Sequence, residues 1–388
     1  MSRVFASLIV AAFSLVAGAP VHVPVAAHLH VSGTSFQNAD GSAFQWRGIT
    51  AFRLVELVAS GRQVEAAAFL DWAASRRLTV VRVFTMARHL FSLLPADGVR
   101  ALPELLGMAA TRGLHVEIVA LVDTGEVKTD VDAHVTGVGA IASRYPNALI
   151  EIANEPAHPT QAAAIHDPVE LRRLAGFVPA AVPVSLGSAE ENASFAGGRY
   201  ATFHFPRAGA PGGWGPVVGL ANGAVLVGAW QKPVISDEPI GAADVPVPGR
   251  RDDDPERFLA AALLTRLAGM GATFHYEGGL QARIPAGREL ECFARWNEAW
   301  SELPVEIEQS GVFYEAGAPV AAVRSFARDR VTAVFERQRG ASAYVLALGV
   351  RGDPGLEWRE GWSLSRSQRF GPLRLITARQ APQAPARR

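Results

Sequence analysis

Two glutamates stand where a parallel sheet would present them for chemistry. Glu155 follows the run Leu149-Ile150-Glu151-Ile152-Ala153-Asn154 and precedes Pro156; Glu238 follows Val234-Ile235-Ser236-Asp237 and precedes Pro239. Short apolar runs of this kind suit buried strands of a parallel sheet, and the proline stops the ladder and opens a loop. Each glutamate therefore falls at the carboxyl end of a strand, the end at which barrels of eight strands and eight helices do their chemistry. Two carboxyls so placed can divide a reaction between them. One, protonated, hands its proton to a leaving oxygen while the other, ionised, attacks carbon, which is what glycosidic-bond hydrolysis needs. Read alone, Glu155 could equally be a solvated residue in a polar turn; the same grammar at Glu238 tips the balance.

The elements that must carry this pair recur as strand–helix units, mostly about thirty residues apart, the spacing of a βα barrel. Strands are expected over 44–50, 78–84, 114–121, 149–153, 182–186, 200–205, 232–237 and 271–276. Helices are expected between them: from Pro103 to Gly113, after the cap Asp130, after Asp167-Pro168-Val169-Glu170, through Val217 to Leu226, after Asp254-Pro255-Glu256, and from Arg288 to Trp300. Ahead of the first strand, Val31-Ser32-Gly33 and the turn Asn38-Ala39-Asp40-Gly41 read as a hairpin plugging the barrel floor. From about Pro304 the pattern changes to short alternating strands, a small antiparallel β domain, ending in an arginine- and proline-rich tail. The fold expected is thus α/β: a (β/α)8 TIM barrel over 28–303 with an N-terminal β-hairpin, and a small antiparallel domain and tail over 304–388.

Bulk properties narrow the function. The 388 residues are 49% hydrophobic and 19% charged, a well-buried globular composition, and the 37 basic residues balance the 37 acidic ones, which disfavours nucleic acid as a partner. Lysine occurs only at Lys128 and Lys232, a usage that points to a GC-rich coding sequence rather than to phosphate recognition. The single Cys292 rules out an internal disulfide framework and a cysteine-ligated zinc site. Met1-Ser2-Arg3 followed by the apolar run Val4–Ala17 has the form of a signal peptide over 1–27, so an exported protein, secreted or periplasmic, is expected, with no membrane span in the mature chain. His28-Leu29-His30 resembles the paired histidines that open metal-dependent amidohydrolase barrels. It precedes the hairpin, however, whereas that chemistry needs the pair at the end of the first barrel strand. Asp252-Asp253-Asp254 is read as a solvated helix start, not a calcium site.

Taken together, Phe44-Gln45-Trp46-Arg47-Gly48-Ile49-Thr50, Asn154-Glu155-Pro156, Phe203-His204-Phe205 and Glu238 resemble clan-A glycoside hydrolases, most closely glycoside hydrolase family 5, from near Val31 to about Trp300. Each motif is short; their order on strands one, four, six and seven makes the set specific. The resemblance implies that Glu155 is the general acid/base and Glu238 the nucleophile of a retaining reaction on a β-linked glycan. It implies that Asn154 bonds the sugar 2-hydroxyl, that Arg82 on strand two steadies the nucleophile, and that His204 contacts substrate or nucleophile. A buried cation in a strand run needs a partner, so a structural ion pair is the other reading of Arg82. Trp214 and Trp230 are candidate sugar-stacking platforms, core packing being an equal reading for Trp230. The chain departs from the family at the end of strand three, where Leu121-Val122-Asp123 lacks the usual histidine. It departs again after His204, where Phe205-Pro206 lacks tyrosine, and after strand eight, where His275-Tyr276-Glu277-Gly278-Gly279 lacks tryptophan and leaves Tyr276 or Glu277 to line the subsite. An oligo- or polysaccharide substrate, no cofactor or metal, no nucleic acid or membrane partner, and a monomer are expected. A non-catalytic carbohydrate-binding barrel and, more distantly, a metal-dependent amidohydrolase are the alternatives.

Overall fold

A computed structural model describes residues 27–205, 214–242, 253–303, 313–314, 322–327, 329–331 and 333–381. The segment read as a signal peptide lies, but for Ala27, outside them. The hairpin is β1 (His30–Ser32) with β2 (Ser35–Gln37), paired antiparallel across Gly33 at φ +55°. β3 (Arg47–Thr50) opens the barrel, and β4 (Val80–Phe84) follows α1 (Leu54–Ala59) and α2 (Gln63–Ser75). Then come α3 (Pro95–Ala110), β5 (His115–Leu121), α4 (Val131–Ala142), β6 (Ala148–Ala153), α5 (Pro168–Ala175), β7 (Val184–Ser185) and β8 (Ala201–Phe203). The second half continues through α6 (Gly215–Gly219), α7 (Gly223–Trp230), β9 (Val234–Ser236), β10 (Gly241–Ala242), α8 (Pro255–Leu267), β11 (Gly271–Tyr276), α9 (Glu277–Leu280) and α10 (Gly287–Glu302).

The parallel sheet runs β7-β6-β5-β4-β3-β11-β9-β8, with β10 extending β11. A parallel bridge from Ser188 to Thr202, and the 3.2 Å contact between the Ser185 and Thr202 hydroxyls, bring its two end strands together. All eight barrel strands read from the sequence are present. Asp130, Asp167 and Asp254 each cap a helix by accepting a backbone N–H, from Ala133, Val169 and Glu256 respectively. Two helices differ: the one expected through Val217 to Leu226 is divided into α6 and α7 by a 3-10 turn over Leu220–Asn222, and α3 begins at Pro95 rather than near Pro103. Pro95 supplies the first-turn proline and Pro103 sits inside, where the buried face of Ala101, Leu102, Leu105, Leu106 and Ala109 outweighs the one lost backbone bond.

The floor of the barrel is apolar. Leu29, Phe36, Trp46, Val80, Leu149, Tyr200 and Ile235 form one buried cluster under the hairpin. Trp46 stacks on Phe36 at 5.5 Å and donates from Nε1 to the Thr273 hydroxyl at 3.2 Å. His28 and His30 belong to this end of the barrel, with His30 exposed on β1. His115, buried at the start of β5, is held down to about 4 by burial and by the neighbouring His28, so it is neutral. This pair is therefore not the strand-end pair of an amidohydrolase. Cys292 is fully buried on α10, as a small apolar residue would be.

Past the barrel, β12 (Phe313–Tyr314), β13 (Val323–Ser325), β14 (Ala333–Arg339), β15 (Ser342–Leu348), β16 (Glu357–Trp358), β17 (Trp362–Phe370) and β18 (Leu373–Gln380) form a five-stranded antiparallel sheet, β12-β14-β15-β18-β17, and a separate β13–β16 pair. Phe335, Leu346, Leu348, Leu373 and Leu375 of the larger sheet share the barrel's core, and Arg337 donates from Nη1 to the Leu267 carbonyl of α8 at 2.6 Å.

Candidate active site

Strand register sets the site. Arg82 lies beside Glu117 across the β4–β5 pair and beside Thr50 across β3–β4, while Glu151 on β6 is beside Ser185 on β7. All point into the barrel above its apolar floor. Arg82 is fully buried and is the hub. It donates from Nε and Nη2 to Glu151 Oε2 at 3.0 and 2.8 Å, from Nη1 to Glu238 Oε1 at 2.8 Å, and from Nη2 to Asn154 Oδ1 at 2.8 Å. Its Nε is also 3.3 Å from Asp237 Oδ2 and 3.8 Å from Glu117 Oε2. Burial alone would weaken the guanidinium's hold on its proton, but the charges of Glu151, Asp237, Glu238 and Glu117 outweigh it and leave Arg82 firmly cationic.

One cation cannot neutralise four carboxylates, and the buried acids answer by splitting. Burial and the Glu151 and Asp237 charges push Glu117 well above the carboxylate range, so it holds a proton. Tyr200 ties this acid to the floor: its ring packs there, and its hydroxyl donates to Glu117 Oε1 at 3.0 Å. Burial also pushes Glu151 up, to about 7, against the pull of Arg82; Thr202 donates to its Oε1 at 2.9 Å. Asp237 goes the other way. Burial opposes its charge, yet Arg82 and His204 together lower it. Its oxygens are held by charge, 3.3 Å from Arg82 and 3.5 Å from His204 Nε2, and make no hydrogen bond among the described residues.

His204, on the segment just after β8, joins the two strand-end glutamates. Its Nδ1 is 3.1 Å from Glu155 Oε1, its Nε2 is 3.7 Å from Glu238 Oε1, and its backbone N–H donates to the Ser188 hydroxyl at 3.0 Å. Burial would discharge the ring, but the charges of Glu238 and Asp237, the latter 3.5 Å from Nε2, and the bond to Glu155 raise it well above its ordinary value, so it is an imidazolium. One oxygen each of Glu155 and Glu238 and a ring nitrogen of His204 lie within 4.8 Å of one another. Glu151, His204 and Asp237 form a second such group. Both are donor sets that a metal ion would accept by type. Here the guanidinium of Arg82 and the protonated His204 already supply the positive charge, and the arrangement fits an ion-pair network better than a metal centre.

The Glu155 turn is strained and braced. Glu155 has φ +38°, a left-handed conformation that costs a non-glycine residue on the order of 1–3 kcal/mol. Gly187, after β7, crosses behind it so closely that a Cβ would sit 2.3 Å from the Ala153 carbonyl and 2.5 Å from Pro156 Cγ. Gln161 clamps the other side. Its Nε2 donates to the Asn154 carbonyl at 2.6 Å while its Oε1 accepts from the Thr124 hydroxyl at 2.7 Å, joining the ends of β5 and β6.

Of the residues singled out in the sequence, Glu155, Glu238, Asn154, Arg82 and His204 converge at this mouth. Tyr276 and Trp214 are not among them. Tyr276 is fully buried in the core beside Phe274, and its hydroxyl donates to the Arg283 carbonyl, so it does not line the mouth. Trp214 is half-buried against the core, with the Arg257 guanidinium 5.7 Å from its ring. The mouth instead includes His275, whose Nε2 is 3.7 Å from Glu238 Oε2. Glu117, Glu151 and Asp237 are site residues the sequence reading passed over. Their signal was there: a carboxylate inside an apolar strand run demands a partner as much as Arg82 does.

No protein-family model matches the chain, and no curated protein does. Solved structures do. A glycoside hydrolase family 5 structure from Bacteroides vulgatus aligns over 91% of this chain and 93% of its own at TM-score 0.59 and 12% identity. A β-glucanase from Saccharophagus degradans, solved with cellotetraose, aligns over 74% of this chain and 97% of its own at TM-score 0.53 and 11% identity. A GH5_18 structure from Bifidobacterium longum subsp. infantis aligns over 68% and 80% at TM-score 0.51 and 10% identity. At such identities the likeness speaks for the fold: this chain has the barrel of glycoside hydrolase family 5 structures.

Proposed function

We propose that the protein is a retaining glycoside hydrolase that cleaves O-glycosidic bonds of a β-linked glycan by double displacement. The observation that carries this reading is the approach of Glu155 and Glu238 to within 4.8 Å, oxygen to oxygen, at the carboxyl ends of β6 and β9. Retaining enzymes hold their carboxyls about 5–5.5 Å apart, whereas inverting enzymes leave about 6.5–9.5 Å for a water. Glu238, bonded by Arg82 and facing two histidines, has the surroundings of a group kept ionised for attack on the anomeric carbon. Glu155 is one-third exposed, where a leaving oxygen could reach it. It gives its proton to that oxygen as the glycosyl–Glu238 ester forms, then takes a proton from the water that cleaves the ester. His204 moderates the pair. The Glu238 charge favours the protonated form of Glu155, and the imidazolium that touches both opposes it. With Oδ1 held by Arg82, the amide Nδ2 of Asn154 is the atom that would meet a sugar 2-hydroxyl. The β-glucanase with the same barrel, solved with cellotetraose, supports a β-glycan as the substrate class. The apolar start of the chain supports export, and intact mass of exported protein beginning between about Pro20 and His30 is the corresponding expectation.

The test is a screen of β-glucans, mannans and aryl β-glycosides with wild type and two variants. Glu238→Ala should abolish turnover of every substrate. Glu155→Ala should spare the first step for an activated phenol, which leaves without a proton, and turnover should return with azide as a glycosyl azide of retained configuration. Sugar binding with no turnover of any substrate in the wild type would make the protein a carbohydrate-binding barrel.

A further inference from the structure

The two oxygens of Glu238 face different walls of the barrel. Oε1 accepts from Arg82 at 2.8 Å and lies 3.7 Å from His204; Oε2 faces His275 Nε2 at 3.7 Å from the opposite wall. We infer that His275 is a positioning residue for the nucleophile, its Nε2–H aimed at Glu238 Oε2 while Thr50 holds Nδ1. The inference rests on the glycosidase reading for its consequence in turnover, but its geometry is independent of any substrate.

Thr50 decides the tautomer. Its hydroxyl is 3.0 Å from His275 Nδ1, and both side chains are buried. Were Nδ1 the only protonated nitrogen, it would donate to Thr50 and leave the Nε2 lone pair facing a carboxylate oxygen, lone pair against negative charge. With Thr50 donating instead, Nδ1 accepts and Nε2 carries the proton toward Glu238. Two elements flank the ring. β10 pairs with β11 so that Gly241 lies beside His275, and a Cβ there would be 3.6 Å from His275 Cδ2. The Phe52 ring lies on another side at 6.3 Å between centroids. At 3.7 Å the contact is longer than a hydrogen bond and short enough for strong attraction between an N–H dipole and a charge. Contacts of this kind commonly tighten when substrate draws the catalytic groups together. A carboxylate bonded at both oxygens is fixed in the plane of its attack as well as kept ionised.

Among the described residues, the groups that bear on the titration of Glu238 are Arg82 from β4, Glu155 following β6, His204 following β8, His275 from β11 and the adjacent Asp237, so the test must isolate the His275 share. Glu238 is followed by carbon-13 NMR of glutamate-labelled full-length protein, its carboxyl signal assigned as the one lost in Glu238→Gln. His275→Phe keeps an aromatic ring beside Phe52 and removes the N–H, whereas His275→Gln places an amide N–H close to the position of Nε2. Thr50→Val frees the tautomer without touching the imidazole. The titration of Glu238 should move to higher pH by roughly one unit in His275→Phe, by less in Thr50→Val, and hardly at all in His275→Gln. With a turned-over aryl glycoside in hand, kcat/KM should fall roughly tenfold to a hundredfold in the phenylalanine variant and recover in the glutamine variant. Equal shifts in the phenylalanine and glutamine variants, or none in the phenylalanine and valine variants, would overturn the inference. The titration needs no substrate, so a protein that shows the shift yet cleaves nothing would keep this geometry and lose the glycosidase reading.

Discussion

The two ends of the barrel are built from the same strands and obey opposite rules. At the floor, Phe36, Trp46, Leu149, Tyr200 and Ile235 close the ring with ring stacking and almost no charge. At the mouth, a few residues further along the same strands, Arg82, Glu117, Glu151, Asp237, Glu238 and His204 are packed into one buried network. The first arrangement gains stability from burial. The second spends it, because each buried charge gives up its water and the partners recover only part of that loss. Tyr200 joins the two regimes, with its ring in the floor and its hydroxyl on Glu117. The comparison teaches that mouth residues should be judged by what they hold ready for reaction, and floor residues by what they hold together.

Breaking the network at its hub should cost the most. Arg82→Met strands Glu151, Asp237 and Glu238 without their cation; a stability loss of about 3–5 kcal/mol in denaturant melts is expected, together with loss of turnover. The floor gives the contrasting result. Trp46→Ala should cost about 3–5 kcal/mol through its cavity and yet leave kcat per folded molecule near wild type. A kcat loss as large as that of the hub variant would mean the ends are not separable. Gln161→Ala loosens the clamp on the strained Asn154-Glu155 turn. Turnover should fall about tenfold for substrates that need protonation and less for an activated phenol, with a change of under about 1 kcal/mol in stability. The smallest effect is a slope. Glu151 is raised by burial from the usual 4.5 to about 7, so the folded state binds the extra proton in that window. Its contribution is full below pH 4.5 and is lost as the pH rises toward 7, where the charge must form in the barrel. The thermal midpoint should therefore fall by a few degrees across that window, and Glu151→Gln should flatten the fall. A steeper fall in the variant would assign the proton elsewhere in the network.

Much of this was legible in the sequence because the signals were local. Asn154-Glu155-Pro156 and Asp237-Glu238-Pro239 each announce a strand end, and Asp130, Asp167 and Asp254 announce helix starts. What escaped depended on register. Glu117 and Glu151 read as parts of apolar strands; the β4–β5 register puts Glu117 beside Arg82, and closure of the barrel brings Glu151, two strands away, onto its guanidinium. Tyr276 and His275 are neighbours on one strand, and alternation sends one to the core and the other to the mouth. Sequence marked that segment as a place where the chain departs from the family it resembles, but not which of the two side chains would enter. Gln161 carries no pattern at all; its role comes from a loop folding back to meet Thr124.

The central claim is that the two glutamates stand at a retaining separation and act in sequence. The direct measurement is proton NMR of the first anomer released from a β-linked substrate, recorded before mutarotation scrambles it. The account predicts the β-anomer, the configuration retained through a glycosyl–Glu238 intermediate. Release of the α-anomer would mean a single displacement by water and would contradict it.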